Sequence, residues 1–224
     1  MSTKEQQSRG RFITLEGTEG VGKSSNLQQV CEVLEQSGIP FVQTREPGGT
    51  DVAERLRQIL LADSQEDILS ITELLVVFAA RAQHLAHVIE PSLARGEWVV
   101  CDRFTDATFA YQGHARGVNL DQIAVLEQWV QQGRQPDLTI LLDLDPRVAM
   151  ARIADRPKDR MEQEQLKFYE AVRQGYLQRA TQHSRFTVID ASAGLADVSS
   201  QVAKCVQRFI AEAQTDETSG GQGG

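Results

Sequence analysis

Short runs of almost unbroken apolar residues alternate along the chain with longer stretches in which apolar residues return every three or four positions. The runs at residues 11–16, 41–45, 98–102, 138–144 and 186–190 are rich in Val, Ile, Leu and Phe. Strands covered on both faces read this way, because neither face meets water. Between them, Leu27, Val30, Cys31 and Leu34 recur at helical spacing, and Gly38 closes that helix. Val198, Val202, Val206, Phe209 and Ile210 mark the last helix. A long helix is expected over residues 71–95, kinked near Pro91. Others are expected over 51–62, 120–132, 146–154 and 161–182. Strands that alternate with helices need crossover connections. The chain therefore predicts one α/β domain, residues 11–213, with a five-stranded parallel sheet flanked by helices. Ligands of such sheets bind beyond the carboxyl ends of the strands.

Composition narrows the partners. The chain has 224 residues and a formal net charge of −8. That balance speaks against broad binding to nucleic acid, so an anionic ligand must meet local basic clusters. No apolar run is long enough to span a bilayer, and MSTKEQQSRG lacks the apolar segment of a secretory signal. A cytoplasmic protein without a membrane partner is expected. Residues 1–10 and the Gly-rich residues 214–224 are expected to be disordered. Cys31, Cys101 and Cys205 lie far apart in apolar surroundings, as buried free thiols of a reducing compartment would. His84, His87 and Glu90 share helical spacing, which a polar helix face explains better than a metal site.

Gly17-Thr18-Glu19-Gly20-Val21-Gly22-Lys23-Ser24 fits G-x-x-x-x-G-K-[ST], the P-loop, followed by Ser25. Its glycines let successive N–H groups turn inward onto a phosphate, and the following helix adds its positive end. The context, a strand before and a helix after, is the one this motif requires. Lys23 can reach the β- and γ-phosphates, and Ser24 can offer its hydroxyl to Mg²⁺. The loop alone does not separate GTPases, ATPases, transporters and kinases.

Basic residues recur at the other strand ends. Arg45 closes the second strand in TREPGGT. Asp102 and Arg103 close the third in CDRFTDATFAYQG, offering a carboxylate for metal and a guanidinium for phosphate. Phe78 and Arg81, three apart on the long helix, could stack on a base and hydrogen-bond its edge. Arg152, Arg156, Lys158 and Arg160 crowd one turn at about residues 152–162, read as a lid that brings cations to a transferring phosphate. Two anion sites at one sheet edge describe a donor and an acceptor, hence phosphoryl transfer.

Together FITLEGTEGVGKSS, TREPGGT, FAARAQH, DRFTDATFAYQG, DLTILLDLDP and DRMEQE resemble the thymidylate kinase family, over residues 12–210. The resemblance implies a P-loop nucleoside monophosphate kinase-like fold and transfer from ATP to dTMP, giving dTDP and ADP in dTTP biosynthesis, with Mg²⁺. It implies that Arg45 and Arg103 hold the dTMP phosphate and that Phe78 stacks on thymine, with Arg81 at the base edge. Thr108 and Gln112 would lie near the base. Tyr111 would stand where a 2′-hydroxyl would crowd it, and Glu19 would approach the sugar or the metal region. Gly20 matches members that supply cations from the lid, here Arg156 and Arg160. RPKDRMEQE departs from the commoner lid by one residue. The family is cytoplasmic and usually homodimeric. A kinase of another nucleoside monophosphate stands as the alternative, as does a P-loop switch, although the guanine signature N-K-x-D is missing.

Overall fold

A computed structural model describes residues 9–62, 65–154, 160–161 and 163–220, with side chains to Thr215. Five parallel strands form one sheet: β1 (Phe12–Glu16), β2 (Phe41–Arg45), β3 (Trp98–Asp102), β4 (Leu138–Asp143) and β5 (Phe186–Asp190). Their order is β2-β3-β1-β4-β5. The α/β sheet agrees with the sequence pattern, and within one residue so do the strand bounds.

Alternation along β1 decides what each face carries. Ile13 and Leu15 point into a cluster with Val30 and Leu34 of α1 (Lys23–Gln36) and Val202 and Val206 of α9 (Leu195–Gly220). Phe12 points the other way, onto Val99, Phe104 and Ile89. The remaining helices are α2 (Asp51–Leu61), α3 (Ser70–His84), α4 (Glu90–Ala94), α5 (Thr105–Thr108), α6 (Leu120–Gln131), α7 (Pro146–Arg152) and α8 (Leu166–Gln182). Cys31, Cys101 and Cys205 are buried and free. Among the described residues no helix is long and apolar enough to cross a membrane.

Four expectations need correction. The long central helix runs from α3 into α4 through a π-helical turn, Leu85–Ile89, where Glu90 N–H donates five residues back to Leu85. The irregularity lies ahead of Pro91, which has no N–H to continue the ladder. A second π-helical turn, Phe109–Ala115, follows α5 in a stretch assigned no element from the pattern. The helix expected from residue 161 starts only at Leu166. Helical backbone in α9 continues to Gly220, past the domain end expected at 213, and Ala213 is the last core residue described in it.

Register aligns the strand ends. Leu15 pairs with Asp102, Arg45 with Asp102, Glu16 with Leu141 and Asp143 with Asp190. Glu16, Arg45, Asp102, Asp143 and Asp190 therefore gather on one edge. Glu16 is fully buried there and accepts from Phe104 N–H and the Tyr176 hydroxyl, both at 2.8 Å. Burial and the charge of Asp106 outweigh those bonds and push its carboxyl up to about 8. Between pH 4.5 and about 8 the folded chain thus holds a proton that the unfolded chain has released. Stability from this group is full below that window and is lost as pH rises through it. Thermal melting across this range should show the wild type losing stability more steeply than Glu16→Gln. Equal slopes would mean that Glu16 is ionised in the fold.

Candidate active site

The loop between β1 and α1 holds three left-handed glycines, Gly17, Gly20 and Gly22, at φ 139°, 78° and 91°. Gly20 also lies against α7: a Cβ there would stand 2.2 Å from the Ala149 carbonyl oxygen. Only glycine meets both demands. Val21 turns into the core, while Ser24 and Ser25 are exposed. The start of α1 is left open. Its N-cap is Gly22, with no side-chain cap and no acidic residue in the first turn. Side chains cap α2, α6 and α7 (Thr50, Asn119 and Asp145), whereas α1 shares its lack of one with α3 and α8 but alone of these three starts on the left-handed glycine of the P-loop. Uncapped N–H groups and the helix dipole make that end an anion site.

Lys23 folds back into the loop and donates to the carbonyls of Gly17 and Thr18 at 3.0 and 2.8 Å. Burial, helped by the charge of Arg103, lowers its ammonium to about 8, against the pull of Asp102, Glu19 and Glu16. A bound polyphosphate would restore the missing negative charge. Oδ1 of Asp102 is buried and accepts no hydrogen bond among the described residues. That oxygen, 3.9 Å from Arg103 Nη1, and the exposed Ser24 hydroxyl are oxygen donors of the kind that Mg²⁺ takes.

Beside the P-loop opens a cavity lined by Glu19, Arg57, Glu73, Val77, Arg81 and Arg103, together with Glu46, Leu60, Thr108, Tyr111, Gln112 and Met161. Arg103, at φ 67°, is held in a left-handed conformation. Its Nη2 donates to Gly17 O, the Tyr111 hydroxyl and Glu19 Oε1. Tyr111 in turn donates to Glu19 at 2.8 Å. Burial opposes ionisation of Glu19, but Arg103, Lys23 and Tyr111 hold its carboxyl below the usual range.

Arg81 is 1% exposed. Nε donates to Glu46 Oε2 at 2.7 Å, and Nη2 donates to Phe104 O and Thr108 Oγ1 at 3.2 and 2.9 Å. Nη1 meets Gln131 Oε1 at 3.5 Å. The other oxygen of Glu46 meets His84 Nδ1 at 3.0 Å, and His84 Nε2 meets Thr44 Oγ1 at 2.7 Å. Arg81, Glu46 and His84 thus form one buried chain, with His84 as an interior partner rather than a helix-face residue. Burial disfavours the Glu46 charge, yet Arg81 and His84 keep its carboxyl low.

Not every expected residue reaches this cavity. Phe78 is 2% exposed and packs with Leu74, Phe109 and Ile123. It is absent from the cavity wall, and Val77 stands there instead. Glu73, Val77 and Arg81 share one face of α3 at four-residue spacing, and Phe78 lies about 100° further round the helix. Arg45 is half exposed and paired with Glu54 at 2.7 Å, off the cavity wall. Arg152 reaches towards Gly20 O at 3.5 Å and Ala191 O at 3.2 Å, joining the P-loop to the end of β5. Arg160 does not face the P-loop. It donates to Glu73 Oε2 and Leu60 O, both at 2.7 Å. Arg156 and Lys158 lie outside the described residues. The sequence reading missed Glu46, Arg57, Glu73 and Val77. The four-residue spacing of Glu73, Val77 and Arg81 was the signal available.

Phe78→Ala should cost about 3–5 kcal/mol of stability, as a core aromatic does. Val77→Ala should cost less, because one side of Val77 already faces open space. Urea denaturation measures both. A Phe78→Ala protein as stable as Val77→Ala would put the ring back on the cavity wall.

The family model described as thymidylate kinase matches residues 15–202. A thymidylate kinase of Pseudomonas putida (strain GB-1) is 57% identical over 188 residues, 83% of this chain and 90% of that protein. One from Chromohalobacter salexigens is 57% identical over 198 residues, 87% and 93% of the two chains. One from Teredinibacter turnerae is 50% identical over 203 residues, 90% and 99%. Open helix end, buried lysine and neighbouring cavity thus sit in a sequence that matches these proteins over nearly its whole folded length, and the chain belongs to the thymidylate kinase family.

Proposed function

We propose that the protein transfers the γ-phosphoryl group of ATP to the phosphate of dTMP, giving dTDP and ADP for dTTP synthesis. One observation carries this reading. Arg103 belongs both to the cavity wall and to the P-loop, through its bond to Gly17 O. A phosphate in the cavity and the terminal phosphate on the loop would therefore meet at a single guanidinium.

In this reading the P-loop from Gly17 to Ser25 and Arg152 hold ATP. Arg103 and Arg45 hold the dTMP phosphate, with Arg45 released from Glu54. Arg81, Thr108 and Gln112 face the base, Tyr111 and Glu19 face the sugar, and Val77 takes the place first given to Phe78. Asp102 and Ser24 would hold Mg²⁺, which when bound neutralises charge on the phosphates. A phosphate oxygen of dTMP forms the new P–O bond, and the bond from the γ-phosphorus to ADP breaks. Lys23, Arg156 and Arg160 would meet the charge on the transferring oxygens, the last two from the lid. Buried free thiols fit a cytoplasmic setting.

Release of ADP with a panel of nucleoside monophosphates should be fastest with dTMP. Lys23→Ala should lower kcat by roughly 10²–10³ while the protein stays folded. Faster turnover of another acceptor would replace dTMP. Near wild-type turnover in Lys23→Ala would remove the P-loop lysine from the reaction.

The same reading includes a homodimer. Ile71 and Leu75 of α3 are half exposed, and Val125 and Trp129 of α6 are 68% and 75% exposed. Large apolar side chains at four-residue spacing on neighbouring helices form a face suited to a second copy. Trp129→Glu should give a monomer by sedimentation equilibrium. A dimer of unchanged affinity would place the interface elsewhere.

A further inference from the structure

Glu73 has no part in the reading above, yet it accepts hydrogen bonds from three different side chains at the cavity. It is 1% exposed on the α3 face that also carries Val77 and Arg81. Oε1 accepts from Gln112 Nε2 at 2.8 Å and from Arg116 Nε at 3.3 Å. Oε2 accepts from Arg160 Nη2 at 2.7 Å. Burial works against its charge, but these partners hold the carboxyl below the usual range. An ionised carboxylate can only accept. The end of Gln112 that faces Glu73 must therefore be the amide NH₂. Its carbonyl Oε1 is turned away and accepts no hydrogen bond from any described residue, while Gln112 itself lines the cavity. Arg81 is an obligate donor on the same wall, and its bonds leave one Nη1 N–H over.

We propose that Glu73 is a positioning residue: it locks the Gln112 amide so that the cavity offers an acceptor from Gln112 beside a donor from Arg81. That pair complements the N3–H and O4 of thymine. Cytosine carries the reverse pattern, with an acceptor at N3 and a donor at N4. The inference rests on the reading that the cavity receives dTMP. Replacing Glu73 by glutamine gives Gln112 a neighbour that can donate as well as accept, so the Gln112 amide is free to turn over.

The test compares the dissociation constants of dTMP and dCMP by calorimetry, with KM and kcat for dTMP alongside. In Glu73→Gln the preference for dTMP should fall by roughly tenfold or more. KM for dTMP should rise with a smaller change in kcat. Arg160→Met removes one of the three donors to Glu73 together with the bond to Leu60 O, and the preference should fall by less than in Glu73→Gln. The double variant Glu73→Gln/Gln112→Glu restores an acceptor on the cavity side and should recover the preference. It also decides the matter if Glu73→Gln does not fold. A folded Glu73→Gln with a preference within about twofold of wild type overturns the proposal. So does Arg160→Met losing as much as Glu73→Gln, or a folded double variant without the preference. A wild type that binds dCMP as well as dTMP would instead sink the acceptor assignment itself.

Discussion

A charge taken out of water must find its opposite, and the carboxyl edge of this sheet is arranged around that requirement. Parallel register brings Glu16, Arg45, Asp102, Asp143 and Asp190 to one rim, where Glu16 is buried and keeps its proton, Asp102 and Asp143 are partly buried, and Arg45 and Asp190 are exposed. Leaving one partner of a buried pair alone costs several kcal/mol, so each pairing fixes the elements that carry it. Arg81 with Glu46 ties α3 to the turn after β2, and Arg103 with Glu19 ties the end of β3 to the P-loop. Arg173 binds Asp143 with both ends of its fork at 2.7 and 2.8 Å, tying α8 to β4. The cavity lies between the first two of these clamps, and its polar groups are already oriented before a ligand arrives.

Lys23 is paired less completely. Its two partners are carbonyl oxygens rather than carboxylates, and Asp102 nearby keeps an unbonded oxygen. Incomplete satisfaction next to an uncapped helix is where a charged ligand gains most on binding, since it removes a deficit instead of displacing good bonds.

Much of the architecture was legible in the sequence. Strands covered on both faces have no polar alternation to confuse them, and the P-loop is contiguous, so its chemistry and context can be read together. The cavity was legible only in part. Arg81, Arg103, Thr108, Tyr111 and Gln112 follow strand ends and helix faces. The Glu46–Arg81 and Glu73–Gln112 contacts join residues 35 and 39 positions apart, and no local pattern announces them. Phe78 went astray for a simpler reason. Spacing of three from Arg81 is compatible with one face, but spacing of four, from Val77, is closer to it, and the larger ring drew the assignment. The lid stayed least legible, because a run of cations says nothing about which carboxylate holds each one.

The π-helical turn at Phe109–Ala115 carries an implication for insertions and deletions. The cavity residues Ala107, Thr108, Tyr111 and Gln112 form two adjacent pairs four residues apart, and the second pair lies inside the widened turn. Removing a single residue from this turn would return it to ordinary α pitch. The helix beyond the turn would keep its register, because the widened turn is what takes up the extra residue, but inside the turn Tyr111 and Gln112 would rotate relative to Thr108. Tyr111 and Gln112 could not both stay on the wall with Thr108. In this segment chain length, as much as residue identity, shapes the cavity wall.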